Sequence, residues 1–408
     1  MALAAKRGSR RHYAFVVVAM GALTVMGALG LARYPYSLIL PTMKDALSLS
    51  YTEMGMLSTS FFVGYVVFAL LTSMAATRLG ARKVIFICMT VAGLGLAATG
   101  LAQGFAMALV TLTITGAATS GGYVQAMAMP SAWFSPKRRG MAAGAQVGGM
   151  GVGAVTSGFL IPMVLVAFGG AGWRYAWFFL GAAVLAIAMA GGVWYRNRPS
   201  DKGLLPFGPP EPPSSTPVSD APLGKIYTSH LLWHTSAVYL LYGFTNIVVM
   251  TFFTAHLTKG LGLDTPEAGR AWAVMGTMTI LSGFLWGFVS DRLGRKYGLA
   301  LSLCFLGLGA ALLGVSQGLP MIYVSGAIFG LCLTGAPSII AAASGDYFGS
   351  RMAAPALGFL TVSFGLGQAF GPSLAGYIAD LTGAFVIPFL LAGAASILAA
   401  GGALLLKK

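Results

Sequence analysis

The sequence predicts an all-α membrane protein of twelve transmembrane helices, arranged as two pseudo-symmetric six-helix bundles around a central cavity. Three observations predict this fold class. The 408-residue chain is 57% hydrophobic and only 9% charged, and its mean hydropathy is +0.81, both far from the averages of soluble domains. Long apolar runs recur along the chain. The second half also repeats features of the first half at a constant shift of 214 positions.

The repeat is clearest in the ten residues 287–296, which have a degraded copy at 73–82. The same shift matches Arg78 with Arg292 and Gly80 with Gly294. Agreement at one fixed spacing indicates duplicated halves, an architecture that many membrane carriers share.

Twelve apolar runs are each long enough to cross ~30 Å of hydrocarbon as a helix. The predicted spans of the first half are 13–40, 54–76, 83–102, 106–134, 140–168 and 174–196, and those of the second half are 229–257, 268–290, 297–317, 320–347, 353–379 and 384–406. The predicted domains are an N-terminal bundle (1–196), a Pro-rich linker (197–227) and a C-terminal bundle (228–408). We expect the linker to be cytoplasmic, because its prolines and scattered charges cannot form a core.

Basic residues set the expected topology. Most of the 25 lysines and arginines fall at one set of span ends, so the net charge of +15 follows the positive-inside rule and predicts two cytoplasmic termini. We expect a multi-pass protein of the inner membrane that contacts the lipid bilayer, works as a monomer and binds no nucleic acid. Residues 1–12 precede an apolar run too long for a signal peptide, so the first span is expected to be retained.

The composition argues against a membrane enzyme. The four histidines are scattered, no span contains paired carboxylates, and neither an HExxH motif nor a phosphate-binding loop is present. The three cysteines lie far apart in apolar runs, a spacing unsuited to a metal site or a disulfide framework. We therefore expect no catalytic residue, metal or cofactor.

The loop between spans eight and nine carries the most specific motif. Its residues Gly287, Asp291, Arg292, Gly294, Arg295 and Lys296, together with the six-plus-six spans and the long central loop, resemble the major facilitator superfamily. The first-half copy departs from the pattern at Ser73 and Thr77 but keeps Arg78. The resemblance implies alternating access, with Asp291, Arg292, Gly294, Arg295 and Arg78 as inner gating residues. The alternative for Asp291 is a structural aspartate in a tight basic loop.

Two further stretches narrow the resemblance. Residues 133–144 with the glycines after them, and residues 357–377 in span eleven, resemble the monocarboxylate and oxalate/formate carriers. Their glycines also fit plain close packing of membrane helices. That branch usually places an arginine inside span eight, whereas here Arg270 only opens this span.

Arg33 is the one basic residue well inside a predicted span. An unpaired guanidinium at such depth costs at least ~2.5 kcal/mol on insertion scales, so we expect it to face a wet cavity or a partner. No acidic residue lies deep in a span, and a guanidinium binds carboxylate or phosphate through two parallel hydrogen bonds. Arg33 is therefore predicted to anchor an anionic substrate, the alternative being that it snorkels to the membrane surface.

In the superfamily, helices one, four, seven and ten line the cavity. The resemblance and their depth make several polar residues of these helices candidate substrate contacts, with hydrogen bonding between helices as the alternative for each. These candidates are Tyr34, Tyr123, Tyr242, Asn246, Thr334 and Ser338. Thr334 and Ser338 flank Pro337, where a helix can bend and free carbonyl groups.

None of the ten acids sits at mid-depth, so the sequence offers no carboxylate for proton coupling. His256, at the outer end of span seven, is the candidate proton site, although it also fits an interface histidine. The sequence thus predicts a secondary carrier for a small organic anion, a monocarboxylate, working by proton symport or by anion exchange. A multidrug or metabolite efflux carrier is the main rival, and a channel suits duplicated halves less well.

Overall fold

The computed structural model describes residues 12–209, 227–348 and 353–406. Within these ranges the chain forms helices and no β-strand, so the predicted all-α class is confirmed. The α-helices are α1 (Ala14–Val25), α2 (Tyr36–Leu47), α3 (Tyr51–Leu79), α4 (Ala81–Gly100), α5 (Phe105–Trp133), α6 (Pro136–Phe168), α7 (Gly172–Trp194), α8 (His230–Ala255), α9 (Thr265–Leu293), α10 (Arg295–Val315), α11 (Leu319–Cys332), α12 (Gly335–Phe348), α13 (Ala353–Thr382) and α14 (Val386–Leu404).

These helices supply the twelve predicted spans. Ten stretches of the described residues are long and apolar enough to cross a membrane. One of them, 138–194, holds both α6 and α7, and α13 adds another helix of 30 residues. The first span combines α1 with α2, and the tenth span combines α11 with α12.

Several helices run a few residues past the predicted limits, because capping groups rather than hydropathy decide where a helix ends. Span two was predicted at 54–76, but α3 covers Tyr51–Leu79. Ser50 Oγ accepts the N–H of Glu53 at 3.0 Å, and Glu53 Oε2 accepts the N–H of Ser50 at 2.8 Å, which is a complete capping box. Gly80 and Gly294, matched by the 214-residue repeat, end α3 and α9 with φ of 83° and 93°, a conformation that only glycine adopts freely.

The first and tenth spans are interrupted, although each was predicted as one run. In the first span, α1 passes into a π-helical stretch, Met26–Leu31, and α2 begins only after Pro35. In the tenth span the helix breaks between Cys332 and Gly335. Pro35 immediately precedes α2 and Pro337 is the third residue of α12, and neither has an N–H to donate to a carbonyl of the preceding turn.

Contacts between helices follow the repeat. Inside the two halves, α4 packs on α7 and α10 packs on α14, while between the halves α6 packs on α9 and α3 packs on α13. Under the 214-residue shift, the α4–α7 pair corresponds to α10–α14, and the α6–α9 pair corresponds to α13–α3. The interface between the halves therefore has an approximate two-fold symmetry. The halves are α1–α7 and α8–α14.

Two faces of the bundle need names. The linker face carries the start of α1 and the end of α7, where the Tyr13 hydroxyl donates to the carbonyl of Trp194 at 2.6 Å. The far face carries the start of α3 and the end of α13. The described part of the linker, 197–209, packs on the first half, since the N–H of Phe207 donates to the carbonyl of Trp133 at 2.8 Å. Residues 210–226 of the predicted linker lie outside the described residues, and the domain limits stay a prediction.

Candidate substrate site between the two halves

The two halves meet at the far face through polar groups. The carboxylate of Asp380, at the end of α13, accepts the backbone N–H groups of Tyr51 and Thr52 at 2.9 and 2.7 Å. Lys259 also forms an ion pair with Asp45, and these two residues are 214 positions apart. The far ends of the halves are therefore held together in this state.

Glycines allow the helices to approach closely in the same region. A Cβ atom added to Gly55 would lie 2.2 Å from the carbonyl oxygen of Pro372, and one added to Gly376 would lie 2.2 Å from that of Tyr51. Glycines nearer the linker face on α6, α9 and α13 have no atom within 4 Å of such a Cβ. These are Gly144, Gly148, Gly287 and Gly358. The halves thus touch at the far face and separate toward the linker face.

Arg33 lies between the halves in the turn that separates α1 from α2. Its side chain is buried, with 5% of the residue exposed. Its Nη2 donates to Ser58 Oγ of the first half at 2.8 Å and to Thr251 Oγ1 of the second half at 3.5 Å. The guanidinium is therefore enclosed by protein and contacts both halves.

Aromatic rings and hydroxyls supply the rest of the guanidinium's surroundings. Its Cζ lies 4.6 Å from the ring centre of Phe62, 5.4 Å from Phe61 and 5.7 Å from Tyr36, distances at which a cation and a ring attract. No ion pair to Arg33 exists among the described residues. Its Nε is buried without a hydrogen-bond partner there. This cation has no anionic partner of its own in the described structure.

Tyr34, the residue after Arg33, and Tyr123 of α5 belong to the first half, and both are partly exposed. The Tyr34 hydroxyl donates to Met150 Sδ at 3.0 Å, and its ring meets Trp272 of the second half edge to face, with ring centres 6.5 Å apart. The Tyr123 ring centre lies 6.5 Å from that of Tyr65. Tyr34 therefore borders the interface, and the substrate-binding roles of both tyrosines stay predictions.

Tyr242 and Asn246 form a chain that ends at the broken tenth span. The Asn246 Nδ2 donates to the Tyr242 hydroxyl at 3.1 Å, and this hydroxyl donates to the carbonyl of Leu333 at 2.5 Å. Leu333 is the residue whose carbonyl Pro337 leaves free, so Tyr242 replaces the missing helical bond. Both candidates thus have structural partners, and Asn246 keeps its oxygen for another donor.

Thr334 and Ser338 lie at the same break. The N–H of Thr334 donates to Ser282 Oγ at 3.0 Å, and the Ser338 hydroxyl donates to the carbonyl of Gly335 at 2.8 Å. Ser338 is partly exposed, while Thr334 is 9% exposed. Four predicted candidates, on spans seven and ten, therefore meet at one break in the tenth span.

Comparisons with known proteins decide the family. A family model described as "Uncharacterised MFS-type transporter YbfB" matches residues 25–404, nearly the whole chain. The chain belongs to this MFS-type transporter family. The resemblance inferred from the loop motif and the six-plus-six spans is confirmed.

Individual relatives cover almost the full length. The chain is 26% identical to the hexuronate transporter of Bacillus subtilis (strain 168), covering 90% of this chain and 89% of the relative. It is 25% identical to the probable sulfoacetate transporter SauU of Cupriavidus necator, covering 89% and 86%. A crystal structure of a bacterial homologue of the human lysosomal transporter Spinster, inward-facing and unoccupied, superposes with a TM-score of 0.78 at 18% identity, covering 98% of this chain and 97% of that one. The predicted twelve-helix fold is thereby confirmed.

In this MFS-type transporter, the predicted gating residues lie at the linker face. Arg295 donates through Nη1 to Asp291 Oδ1 at 2.5 Å and through Nε to Asp346 Oδ2 at 2.7 Å, which ties α9, α10 and α12 together within the second half. The Arg292 guanidinium lies 4.1 Å from the Phe288 ring centre, and Arg78 is exposed. These contacts join no residue of one half to the other in this state, so the gating role stays a prediction.

His256 is buried inside the second half of the transporter, at 3% exposure. Its Nε2 lies 3.0 Å from the carbonyl oxygen of Leu313, and its ring packs edge to face on Phe389 at 5.1 Å. The contacts described for His256 all belong to its own half. Its proton-coupling role stays a prediction, to which this geometry adds no support.

Sequence reasoning missed Ser58, Thr251 and Asp380. Hydroxyl residues in apolar spans mostly bond a carbonyl of their own helix, as Thr115 does to Thr111 at 2.8 Å, so no pattern marked the first two. Asp380 accepts hydrogen bonds from Tyr51 and Thr52, which are 329 and 328 positions away in the sequence. Local sequence patterns cannot predict a contact at such a separation.

Proposed function

We propose that this chain is a secondary active transporter that moves a small organic anion, most simply a monocarboxylate, across the inner membrane by alternating access. Arg33 carries the proposal. It is a buried cation between the two halves, without a carboxylate partner among the described residues, and an anionic substrate supplies the missing charge.

Two further observations support an anion as cargo. The relatives named above are a hexuronate transporter and a probable sulfoacetate transporter, and both names denote organic anions. In this proposal, Tyr34, Tyr123 and Asn246 provide the hydrogen bonds that orient such a substrate. A lipophilic cation, the cargo expected of many efflux carriers, meets repulsion from Arg33.

The distribution of basic residues indicates which face of the protein is cytoplasmic. The basic residues gather at the linker face, so this face is cytoplasmic under the positive-inside rule, and both termini lie there. The described state is then closed to the outside and open to the cytoplasm. Asp291, Arg292, Gly294, Arg295 and Arg78 act in the opposite state, when the linker face closes.

Purified protein in liposomes tests the proposal. Uptake is measured with radiolabelled lactate, benzoate, glucuronate and sulfoacetate, and with glucose and a lipophilic cationic dye as controls. We expect saturable uptake of at least one acid and none of glucose. Transport of the dye with no acid transported overturns the proposal in favour of efflux.

The same liposomes separate symport from exchange. A pH gradient, acidic outside, accelerates uptake into empty liposomes if a proton accompanies the anion, whether on the protein or on the acid itself. Preloading with the unlabelled acid is required for uptake if the carrier is an exchanger. Since no acidic side chain lies at mid-depth, exchange is the second candidate function.

A further inference from the structure

The Arg33 guanidinium has partners from both halves in the described state. We propose that Ser58 and Thr251 are positioning residues that take over this guanidinium in the inward-open state and thereby drive release of the anion. This inference rests on the proposed function, because it requires Arg33 to be the anchor of the substrate.

The three polar groups form a closed triangle. Arg33 Nη2 donates to Ser58 Oγ at 2.8 Å and to Thr251 Oγ1 at 3.5 Å, and the two hydroxyl oxygens are 3.0 Å apart. Ser58 is 1% exposed and Thr251 is fully buried. A guanidinium nitrogen that an anion needs is therefore already occupied, in a dry environment where hydrogen bonds to a charge are strong.

On the first-half side of the guanidinium, the described state leaves no room for an anion. The void that Arg33 lines with Ser58, Phe61 and Tyr36 is too small to admit even a water molecule. Ring faces of Phe61, Phe62 and Tyr36 cover the cation. In this proposal a carboxylate and the two hydroxyls therefore compete for the same guanidinium nitrogen.

Thr251 links this competition to the motion of the halves. It lies on α8 of the second half, whereas Arg33 and Ser58 belong to the first half. When the far face opens, α8 moves away with its half, the guanidinium loses Thr251, and space and water become available for an anion. When the far face closes, Thr251 returns and displaces the anion toward the open linker face.

The mechanism predicts that removing a hydroxyl tightens substrate binding and slows uptake, whereas ordinary damage to a binding site weakens binding. Thr251→Val keeps the side-chain shape and removes the hydroxyl, so the empty inward-open state loses a partner for a buried charge while the anion-bound state loses nothing. We expect equilibrium binding of the acid that wild type transports fastest to become several-fold tighter, less than the roughly tenfold of a full hydrogen bond to a charged group, because this contact is long, at 3.5 Å. The maximum rate of uptake should fall, since release is slower.

Binding is measured in detergent by scintillation proximity with that labelled acid from the four-acid panel, and uptake is measured in liposomes. Ser58→Ala is the second variant and should act in the same direction. Thr115→Val is the matched control, because Thr115 is equally buried and its hydroxyl donates to its own helix. Thermal unfolding of each variant verifies that the protein is folded.

Tighter binding with slower uptake in both variants supports the inference. Unchanged or weaker binding in both folded variants overturns it, even where Arg33→Ala abolishes binding and the proposed function stands. If wild type binds no acid, the proposed function has failed instead, and the two failures are thereby distinguished.

Discussion

At the scale of single residues, Pro337 determines where Tyr242 bonds. Proline cannot donate to the carbonyl of Leu333, four residues earlier, and the Tyr242 hydroxyl donates to it at 2.5 Å. A bend in one helix is thereby fixed by a side chain from another, next to the proposed substrate contacts Asn246 and Thr334.

Tyr242→Phe tests this bond. Removing the hydroxyl leaves a buried carbonyl unpaired, so we expect the free energy of unfolding to fall by about 1–3 kcal/mol. The measurement is thermal unfolding in detergent. Tyr65→Phe is the control, since the described residues include no hydrogen bond to the Tyr65 hydroxyl; equal unfolding temperatures for the two variants contradict this account.

Residue chemistry also explains what the sequence could reveal about the site. Arg33 stood out because a charge deep in an apolar run is costly, and the structure places it between the halves. Its partners Ser58 and Thr251 were not predictable, because a hydroxyl in a membrane helix can satisfy itself on its own backbone. Distinguishing the two kinds of hydroxyl requires the packing of the halves.

At the scale of elements, α3 is capped twice. Ser50 accepts the N–H of Glu53 within the helix, and Asp380 of the other half accepts the N–H groups of Tyr51 and Thr52. A carboxylate at a helix N-terminus also interacts favourably with the helix dipole. The second cap exists only while the far face is closed, so it stabilises the described state over the opposite one.

Asp380→Asn should weaken closure of the far face. The amide loses the negative charge and has one accepting oxygen for two N–H groups, a loss of about 1 kcal/mol that corresponds to roughly a fivefold shift in the equilibrium. The reporter is Thr258→Cys, in the far-face cavity of about 240 Å³ that Asp45 and Lys259 also line. We expect a membrane-impermeant maleimide to label it several-fold faster in Asp380→Asn than in the parent.

Asp264→Asn is the matched control for this experiment. Asp264 accepts the N–H of Glu267 at 2.7 Å at the start of its own helix, α9, so it does not join the halves. If labelling rises equally in both variants, or in neither, the hydrogen bonds of Asp380 to α3 do not hold the far face closed.

The helix boundaries show which parts of the fold could be predicted from the sequence. Hydropathy located all twelve spans, and the repeat paired Gly80 with Gly294, which the structure shows ending equivalent helices with positive φ. Hydropathy did not show that the helices of the first and tenth spans are interrupted, because the sequence stays apolar from α1 through α2 and from α11 through α12. Pro337 marked a point where the tenth span can bend, and Tyr242, which bonds the Leu333 carbonyl at this break, comes from a distant helix.

At the scale of the whole molecule, the interface combines symmetry with one asymmetric charge. The contacts of α6 with α9 and of α3 with α13 are counterparts under the repeat, as a rocking motion of two similar halves requires. The repeat pairs Arg33 with Ile247, so the second half offers no matching cation there. A single anchor between two movable halves is the arrangement expected of a carrier that binds one anion at a time.

Uptake by Arg33 variants is the most direct test of the central claim that Arg33 anchors the anion. Wild type, Arg33→Lys and Arg33→Ala are reconstituted in liposomes at equal density and assayed with the four labelled acids. We expect Arg33→Ala to lose at least about tenfold in kcat/KM, the worth of one charged hydrogen bond, and Arg33→Lys to retain part of it, because lysine keeps the charge without the planar fork. If Arg33→Ala transports every acid at the wild-type rate and affinity, Arg33 is not the anchor and the account is wrong.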